Sequence, residues 1–329
     1  MAEAPLKLNH PWLVAAWPGI GHVAISAGYY LMAKLGMHLF AEFSARELFD
    51  VEAVTVEKGL IQTARLPRSR FFVWKDPAEK RDLVVFIGEA QPPTGRHAFC
   101  QRLVEFAHGL GIEKIVTFAA MATEMRPSAP SRVFAAATNA ATLEEVWAND
   151  VEVLQEGRIG GLNGVLVGTA AEKNIPGVCL LGESPQLFAQ LPFPKASLSV
   201  LRAFGRISGI QVDLGELESQ AETMEKQLED LLEQVEAQMA AQRQHEQDEG
   251  EDEFGLWSAK EEDEQPRLTR EDERRIGELF DQARQDRSKA YELKRELDRI
   301  GVFAEYEDRF LDIFKTPGSG KGNGFQALP

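Results

Sequence analysis

"PWLVAAWPGIGHVAISAGYYLMAKLG", residues 11–36, sets the reading of the whole chain. An apolar run, Leu13 to Trp17, meets Pro18-Gly19-Ile20-Gly21, and a small-residue helical pattern over Ala24 to Leu35 follows. Strand, glycine turn and helix in that order open many phosphate- and nucleotide-binding α/β proteins, because N–H groups at such a turn favour anions. The full dinucleotide fingerprint is absent: Val23 and Ala24 stand where a third glycine would fall, and Glu42 is a weak match for a ribose partner. The turn therefore reads as a device that lets the helix pack closely on its strand. "GSGKG" at Gly318 to Gly322 has neither a strand before it nor a helix after it, so it reads as linker rather than as a P-loop.

From this opening the alternation continues to about Asp213. Leu39 to Phe43 reads as a second strand, and Leu60 to Leu66 with Arg70 to Lys75 reads as a hairpin around Pro67-Arg68-Ser69. "LVVFI", Leu83 to Ile87, is continuously apolar, as a parallel strand covered on both faces must be. A helix over Phe99 to Leu110 ends at Gly111, and strands follow at Ile115 to Phe118 and Val133 to Ala137. Leu143 to Trp147 is a short helix, and Gly160-Gly161 opens another that runs to Lys173. Val178 to Leu181 is the last central strand, and Leu198 to Ile207 the last helix of this part. Strands separated by helices predict an α/β fold, a three-layer sandwich around a mostly parallel sheet.

Beyond Glu216 the texture changes. Leu217, Ala221, Met224, Leu228, Leu231, Val235 and Met239 recur at spacings of three and four on a Gln- and Glu-rich background, the pattern of a heptad seam. "HEQDEGEDEFGLWSAKEEDEQP" is dense in like charge and broken by Gly and Pro, and reads as a linker. A second helix is expected from an N-cap at Thr269, with Asp272 completing an approximate capping box, through Ile276, Leu279, Phe280, Ala283, Ala290, Leu293, Leu297 and Ile300 to Gly301. An amphipathic piece, Phe303 to Phe314, comes next. The expected organisation is an α/β core over 1–215, a heptad helix over 216–246, an acidic linker over 247–266, a helical segment over 267–314 and a tail over 315–329. The two helical stripes are expected to pair, within the chain or between copies, because isolated helices of this kind are marginal in water.

Bulk composition excludes several classes. Lys and Arg number 36 against 52 Asp and Glu, a net charge of −16 that disfavours nucleic acid and anionic membrane surfaces. No apolar run approaches the roughly 20 residues of a membrane span, and the N-terminus carries no signal pattern. Cys100 and Cys179 are the only cysteines, so no disulfide framework is expected and a cytoplasmic setting fits. His10, His22, His38, His97, His108 and His245 form no HxH or HExxH pair, and neither a metal site nor a bound cofactor is expected.

Candidate ligand residues lie at the carboxyl ends of the strands, where open α/β sheets collect ligands. They are Gly19, Gly21 and His22 in the first turn, Glu89 and Gln91 after "LVVFI", Thr123 and Glu124 in "AAMATEM", and Glu183 and Ser184 in "GESPQ". His22, at a helix start, sits in a local positive potential that favours its neutral form. No GxSxG elbow is present, and no nucleophile, base and orienter assemble, so no catalytic residue is assigned.

Taken in order, the strand-end segments "LVAAWPGIGHVAISAGYYL", "GEAQP", "LGIEKIVTFAAMATEM", "GGLNGVLVGTAAEKNIPGVCLLGESP" and "LPFPKASLSVLRAFGRISGIQVDLGEL" resemble the PAC2 family, which is named for a proteasome assembly chaperone. The resemblance runs from about Pro11 to Leu217. It implies a fold like that of purine nucleoside phosphorylase and, from eukaryotic and archaeal members, a role in proteasome assembly. By position it carries over Pro18, Gly19 and Gly21 in the first loop, Glu89 and Pro92 in the second, and Pro192, Pro194, Lys195 and Ala196 before the last core helix. Bacterial relatives often place Asp where this chain has His22. Some proteasome-binding relatives end in a hydrophobic residue, tyrosine and one more residue; this sequence reads Ala327-Leu328-Pro329 there, and docking by such a tail is not expected.

Two readings follow. The first is a non-catalytic assembly protein that self-associates and offers its helical extension to a protein partner. The second is a binder of, or enzyme for, a nucleoside or phosphorylated small molecule in the strand-end crevice. A cluster of Glu89, Glu124 and Glu183 around one pocket would favour the second, because crowded carboxylates shift one another's pKa.

Overall fold

The computed structural model of the protein describes residues 7–50, 54, 56–57, 59–62, 65–248 and 268–315. Strand β1 (Trp12–Ala16) is buried throughout, and its side chains alternate between two separate cores. Trp12, Val14 and Ala16 face helix α1 (Val23–Lys34), whereas Leu13, Ala15 and Trp17 face the opposite layer. A strand apolar on both faces has to lie inside a sheet covered on both sides.

That sheet has eight strands. They are β1, β2 (His38–Phe43), β5 (Ser69–Trp74), β6 (Leu83–Gly88), β7 (Lys114–Thr123), β8 (Val133–Ala137), β9 (Glu152–Val153) and β10 (Gly177–Pro185), in the order β2-β5-β6-β1-β7-β10-β8-β9. β6, β1, β7 and β10 are mutually parallel. β5 runs antiparallel to β6, and β8 antiparallel to β10. Helices α2 (Arg96–Gly109) and α4 (Gly161–Glu172) cover one face, α1 and α5 (Pro194–Ser208) the other, and α3 (Ala140–Trp147) packs beside β8 and β9. This is the α/β sandwich expected from the alternation of strands and helices.

The carboxy-terminal helices are α6 (Gly215–Asp248), α7 (Arg270–Gln285), α8 (Ala290–Ile300) and α9 (Phe303–Asp312). α6 packs on α5, α7 on α8, and α8 on both α9 and α1. Ile276, Phe280, Leu293, Leu297 and Phe310 join the same core as α1, so these helices thicken its layer. The Thr269 capping box is present, with the hydroxyl accepting from Asp272 N–H and the Asp272 carboxylate accepting in return.

Four expectations are corrected. The hairpin is formed by β3 (Val56–Glu57) and β4 (Leu60–Ile61), while the segment after Pro67 joins the main sheet between β2 and β6. β7 extends to Thr123, because β10 pairs with it from Gly177 to Pro185; Thr123, Glu183 and Ser184 are therefore strand residues rather than loop residues. The helix expected from Thr269 to Gly301 is two helices, broken at the extended Asp286, whose side chain accepts from Ser288 N–H. The α6 seam passes through Leu228 to the half-buried Leu232, leaving Leu231 39% exposed, as expected when a straight helix drifts off a seven-residue repeat. Of the linker expected over 247–266, residues 247 and 248 belong to α6 and the remainder lies outside the described residues, as does the tail expected over 315–329 apart from Lys315.

Candidate functional site

The glycine turn is tied into the fold by its own backbone. Gly21 occupies the left-handed region (φ 59°), donates its N–H to the Ala189 carbonyl at 2.8 Å and accepts from Phe193 N–H at 2.9 Å. His22 N–H closes on the Gly19 carbonyl at 3.0 Å. Gly19 is extended, and a Cβ there would meet nothing within 4 Å. Thus Gly21 is required by its conformation, whereas the backbone makes no such demand at Gly19. His22 is held below the usual histidine range, first by desolvation and then by the Lys294 ammonium, with Asp298 opposing. Helix α8 therefore bears on the turn electrostatically.

Glu89 lies one residue past β6 and is enclosed by arginines. Its carboxylate accepts from Arg65 and Arg70 at 2.8 Å and from Arg68 N–H at 2.8 Å. Arg70 is 1% exposed, and it also holds Asp308 of α9 and Glu42 of β2. Burial alone would raise the Asp308 pKa, but Arg70, with Arg65 and Arg68, outweighs it and holds the carboxyl below its ordinary range. Next to this cluster the buried Tyr29 hydroxyl donates to Glu307. Burial pushes the Glu307 carboxyl up, with Glu89 adding to the shift.

Glu183 is locked in the same manner. Arg132 donates to both of its oxygens at 2.8 Å, and Thr123 donates to one of them at 2.9 Å. The arginine holds its carboxyl below the ordinary range against the effect of burial. Ser184 is buried, and its Oγ has no partner among the described residues. Gln91 bridges the Pro18 carbonyl at 3.2 Å and the N–H of Leu162, in the first turn of α4, at 3.0 Å. That bridge ties the first turn to the start of α4.

The sequence candidates are thus all at the carboxyl edge of the sheet but not in one place. β6 and β10 are three strand spacings apart, roughly 14 Å, so Glu89 and Glu183 do not share a pocket. A cavity of about 630 Å³ gathers Thr123 and Glu124 with Met125, Leu187 and Leu232, between the ends of β7 and β10 and helix α6. Lys195 Nζ reaches the Pro127 and Ser128 carbonyls and Glu225 of α6, so the "PFPKA" segment fastens that helix to the core. Sequence reasoning missed Arg65, Arg68, Arg70, Arg132, Tyr29, Glu307 and Asp308. The one local signal was Arg70 itself, a charge inside the aromatic strand "SRFFVW".

Among the described residues no three His, Cys, Asp or Glu side chains are grouped as a metal ion would need. Cys100 and Cys179 are buried free thiols, each pushed up to about 12 by desolvation. No described helix is long and apolar enough to cross a membrane.

Fold and strand-end geometry together define a three-layer α/β body in which the edge carboxylates Glu89 and Glu183 are paired with arginine. The PAC2 family model matches residues 13–232, and the chain belongs to the PAC2 family. PbaB of Pyrococcus furiosus, an archaeal proteasome activator, is 28% identical; its crystal structure matches with a TM-score of 0.58 over 71% of this chain and 96% of that one. A PAC2 family protein from Streptomyces avermitilis is 26% identical, with a TM-score of 0.59 over 67% of this chain and 95% of its own. An uncharacterized protein of Methanocaldococcus jannaschii is 25% identical over 222 residues, 67% of this chain and 82% of its own length. Helices α7 to α9 lie beyond the stretch that the family model matches.

Proposed function

We propose that this protein is a non-catalytic assembly factor that works in the cytoplasm on a proteasome-type particle and self-associates to do so. The observation that carries the reading is the engagement of the strand-end carboxylates: Glu89 and Glu183 are each held by arginine and by further donors. A general base needs a free lone pair within reach of its proton; donors take all four of the lone-pair sites of Glu89 and three of those of Glu183. The likeness to an archaeal proteasome activator, over nearly all of that protein's length, supplies the partner class.

Purified protein mixed with proteasome core particles, followed by native mass spectrometry and by peptide hydrolysis, tests this. Co-migration with a changed hydrolysis or assembly rate is expected. Absence of any complex at tens of micromolar, together with turnover of a nucleoside or phosphate ester, would replace this reading with the small-molecule one.

A further inference from the structure

The two edges of the sheet are finished differently. At β2 the Leu39 N–H is met by the Phe314 carbonyl at 2.8 Å, so the residues after α9 cover the start of that edge. At the other edge, β9 pairs with β8 in parallel, Phe134 opposite Glu152 and Ala135 opposite Val153, and Leu154 N–H donates to the Ala135 carbonyl at 2.9 Å. In a parallel ladder, residues 152 and 154 then turn their backbone groups toward β8, and Val153 turns its N–H and carbonyl away from it. Among the described residues nothing covers those two groups.

Beside this edge stands Trp147, the last residue of α3, with 70% of its surface exposed. An open groove of about 720 Å³ runs between them, lined by Trp147, Ala148, Asp150, Val151, Glu152, Val153 and Gln155. Its charged lining residues, Asp150 and Glu152, are both acidic. The neighbouring arginines are engaged: Arg132 binds Glu183 and lies 3.6 Å from Glu152, and Arg206 Nε donates to the Asn149 carbonyl at 3.0 Å.

From this juxtaposition we infer that the β9 edge and Trp147 form a docking site for an extended, basic segment of a partner protein, which adds as a further strand. Val153 supplies the main-chain pairing, as in other strand additions. A lysine or arginine of the segment lies over the indole face, where a cation is attracted to the ring. Asp150 selects positive charge, while Glu152 is already paired with Arg132. A second copy of this chain is the poorer occupant. Two-fold antiparallel pairing centred on Val153 would set Asp150 of each copy opposite Glu156 of the other, acid against acid, on chains of net charge −16. The inference rests on the free edge and stands apart from the proteasome reading.

The test uses the full chain and two labelled extended peptides of about nine residues, one alternating Lys with Val and one alternating Glu with Val. Fluorescence anisotropy should show binding of the lysine peptide that weakens with added salt, and at least about tenfold weaker binding of the glutamate peptide. Trp147→Ala should weaken the lysine peptide about tenfold. Val153→Pro, which removes the outward N–H and leaves the Glu152 and Leu154 groups that face β8 in place, should do the same, and its melting temperature shows whether the fold is kept. If Val153→Pro perturbs the fold, a lysine peptide N-methylated at every residue, and so without amide donors on either edge, tests the same pairing on the unaltered protein, and it should fail to bind. Equal binding of both peptides, no binding at millimolar concentration, or full binding of the N-methylated peptide would overturn the inference. So would a dimer that Trp147→Ala converts to monomer, because the occupant would then be a second copy.

Discussion

The Arg70 guanidinium and the Glu89 carboxylate meet at 2.8 Å inside the protein, with the arginine side chain 1% and the glutamate side chain 8% exposed. The sheet register brings them together. Arg70 of β5 lies opposite Ile87 of β6, and Glu89 is two residues further along, the diagonal neighbour on the same face. Because α9 delivers Asp308 to the same guanidinium, one buried cation joins the sheet to the carboxy-terminal helices.

Arg70→Met should therefore be costly. It leaves Glu89 largely buried with the exposed Arg65 as its main counter-charge, and breaking a buried pair from one side costs about 3–5 kcal/mol. Arg65→Ala, whose side chain is 45% exposed, should cost less than about 1 kcal/mol. Urea denaturation of both variants checks this, and equal costs would mean that the buried cation is not what holds the cluster together.

The pH dependence of this corner has two opposite parts. The Glu307 carboxyl is raised by burial, so its contribution is fully present below the unfolded pKa and is lost as pH rises through the folded value. Asp308 and Glu183 are depressed, so theirs is present above the unfolded pKa and is lost as pH falls through the folded values. Glu307→Gln keeps an acceptor for Tyr29 without a charge to bury. It should raise the melting temperature above about pH 7 and lose that advantage near about pH 4, where the wild-type carboxyl is protonated. A variant that melts lower than wild type across the whole range would show that Glu307 is held as a stabilising anion.

How much of this was legible depended on locality. β1, β6 and the helices α1, α2, α4 and α5 could be read because burial on both faces, or on one helical face, leaves a periodic trace in adjacent residues. The tail of β7, "AAMAT", carries no such trace; its strand conformation comes from pairing with β10, some 60 residues away. Asp286 and Ser288 break the last long helix through a side-chain bond that competes with the helical one, with no Gly or Pro to mark it. For the site, the strand-end carboxylates were legible, but their partners were not. Arg70 and Asp308 are 238 residues apart, and Arg132 reaches Glu183 across 51.

The glycines of the strand ends give a steric prediction. A Cβ on Gly88 would lie 2.3 Å from Trp17 Nε1, inside a core where the ring cannot retreat. Overpacking of that kind costs about 1–3 kcal/mol. Gly19→Ala meets nothing and keeps an extended backbone, so it should leave stability unchanged within about 0.5 kcal/mol. Thermal melts of Gly88→Ala and Gly19→Ala should separate clearly. If Gly19→Ala melts several degrees lower, the first turn is more tightly packed than its geometry indicates.

The seam of α6 gives the last prediction, because sequence periodicity and structure disagree there by one residue. Periodicity places Leu228 and Leu231 together on the apolar stripe. In the structure Leu228 is 3% exposed in the core shared with α5, whereas Leu231 is 39% exposed and Leu232 takes its place against that core. A leucine truncated inside a core loses its transfer free energy and leaves a cavity, together about 2–5 kcal/mol, whereas an exposed leucine loses little. Leu228→Ala should therefore lower the unfolding midpoint strongly, and Leu231→Ala should change it by less than about 0.5 kcal/mol. Leu231→Asp separates a seam within one chain from one between copies. If the stripe is used only inside the chain, both the melting temperature and the mass by light scattering stay at their wild-type values. A mass that drops while the melt is unchanged would place Leu231 in an interface between copies, on the side of α6 that the core does not cover.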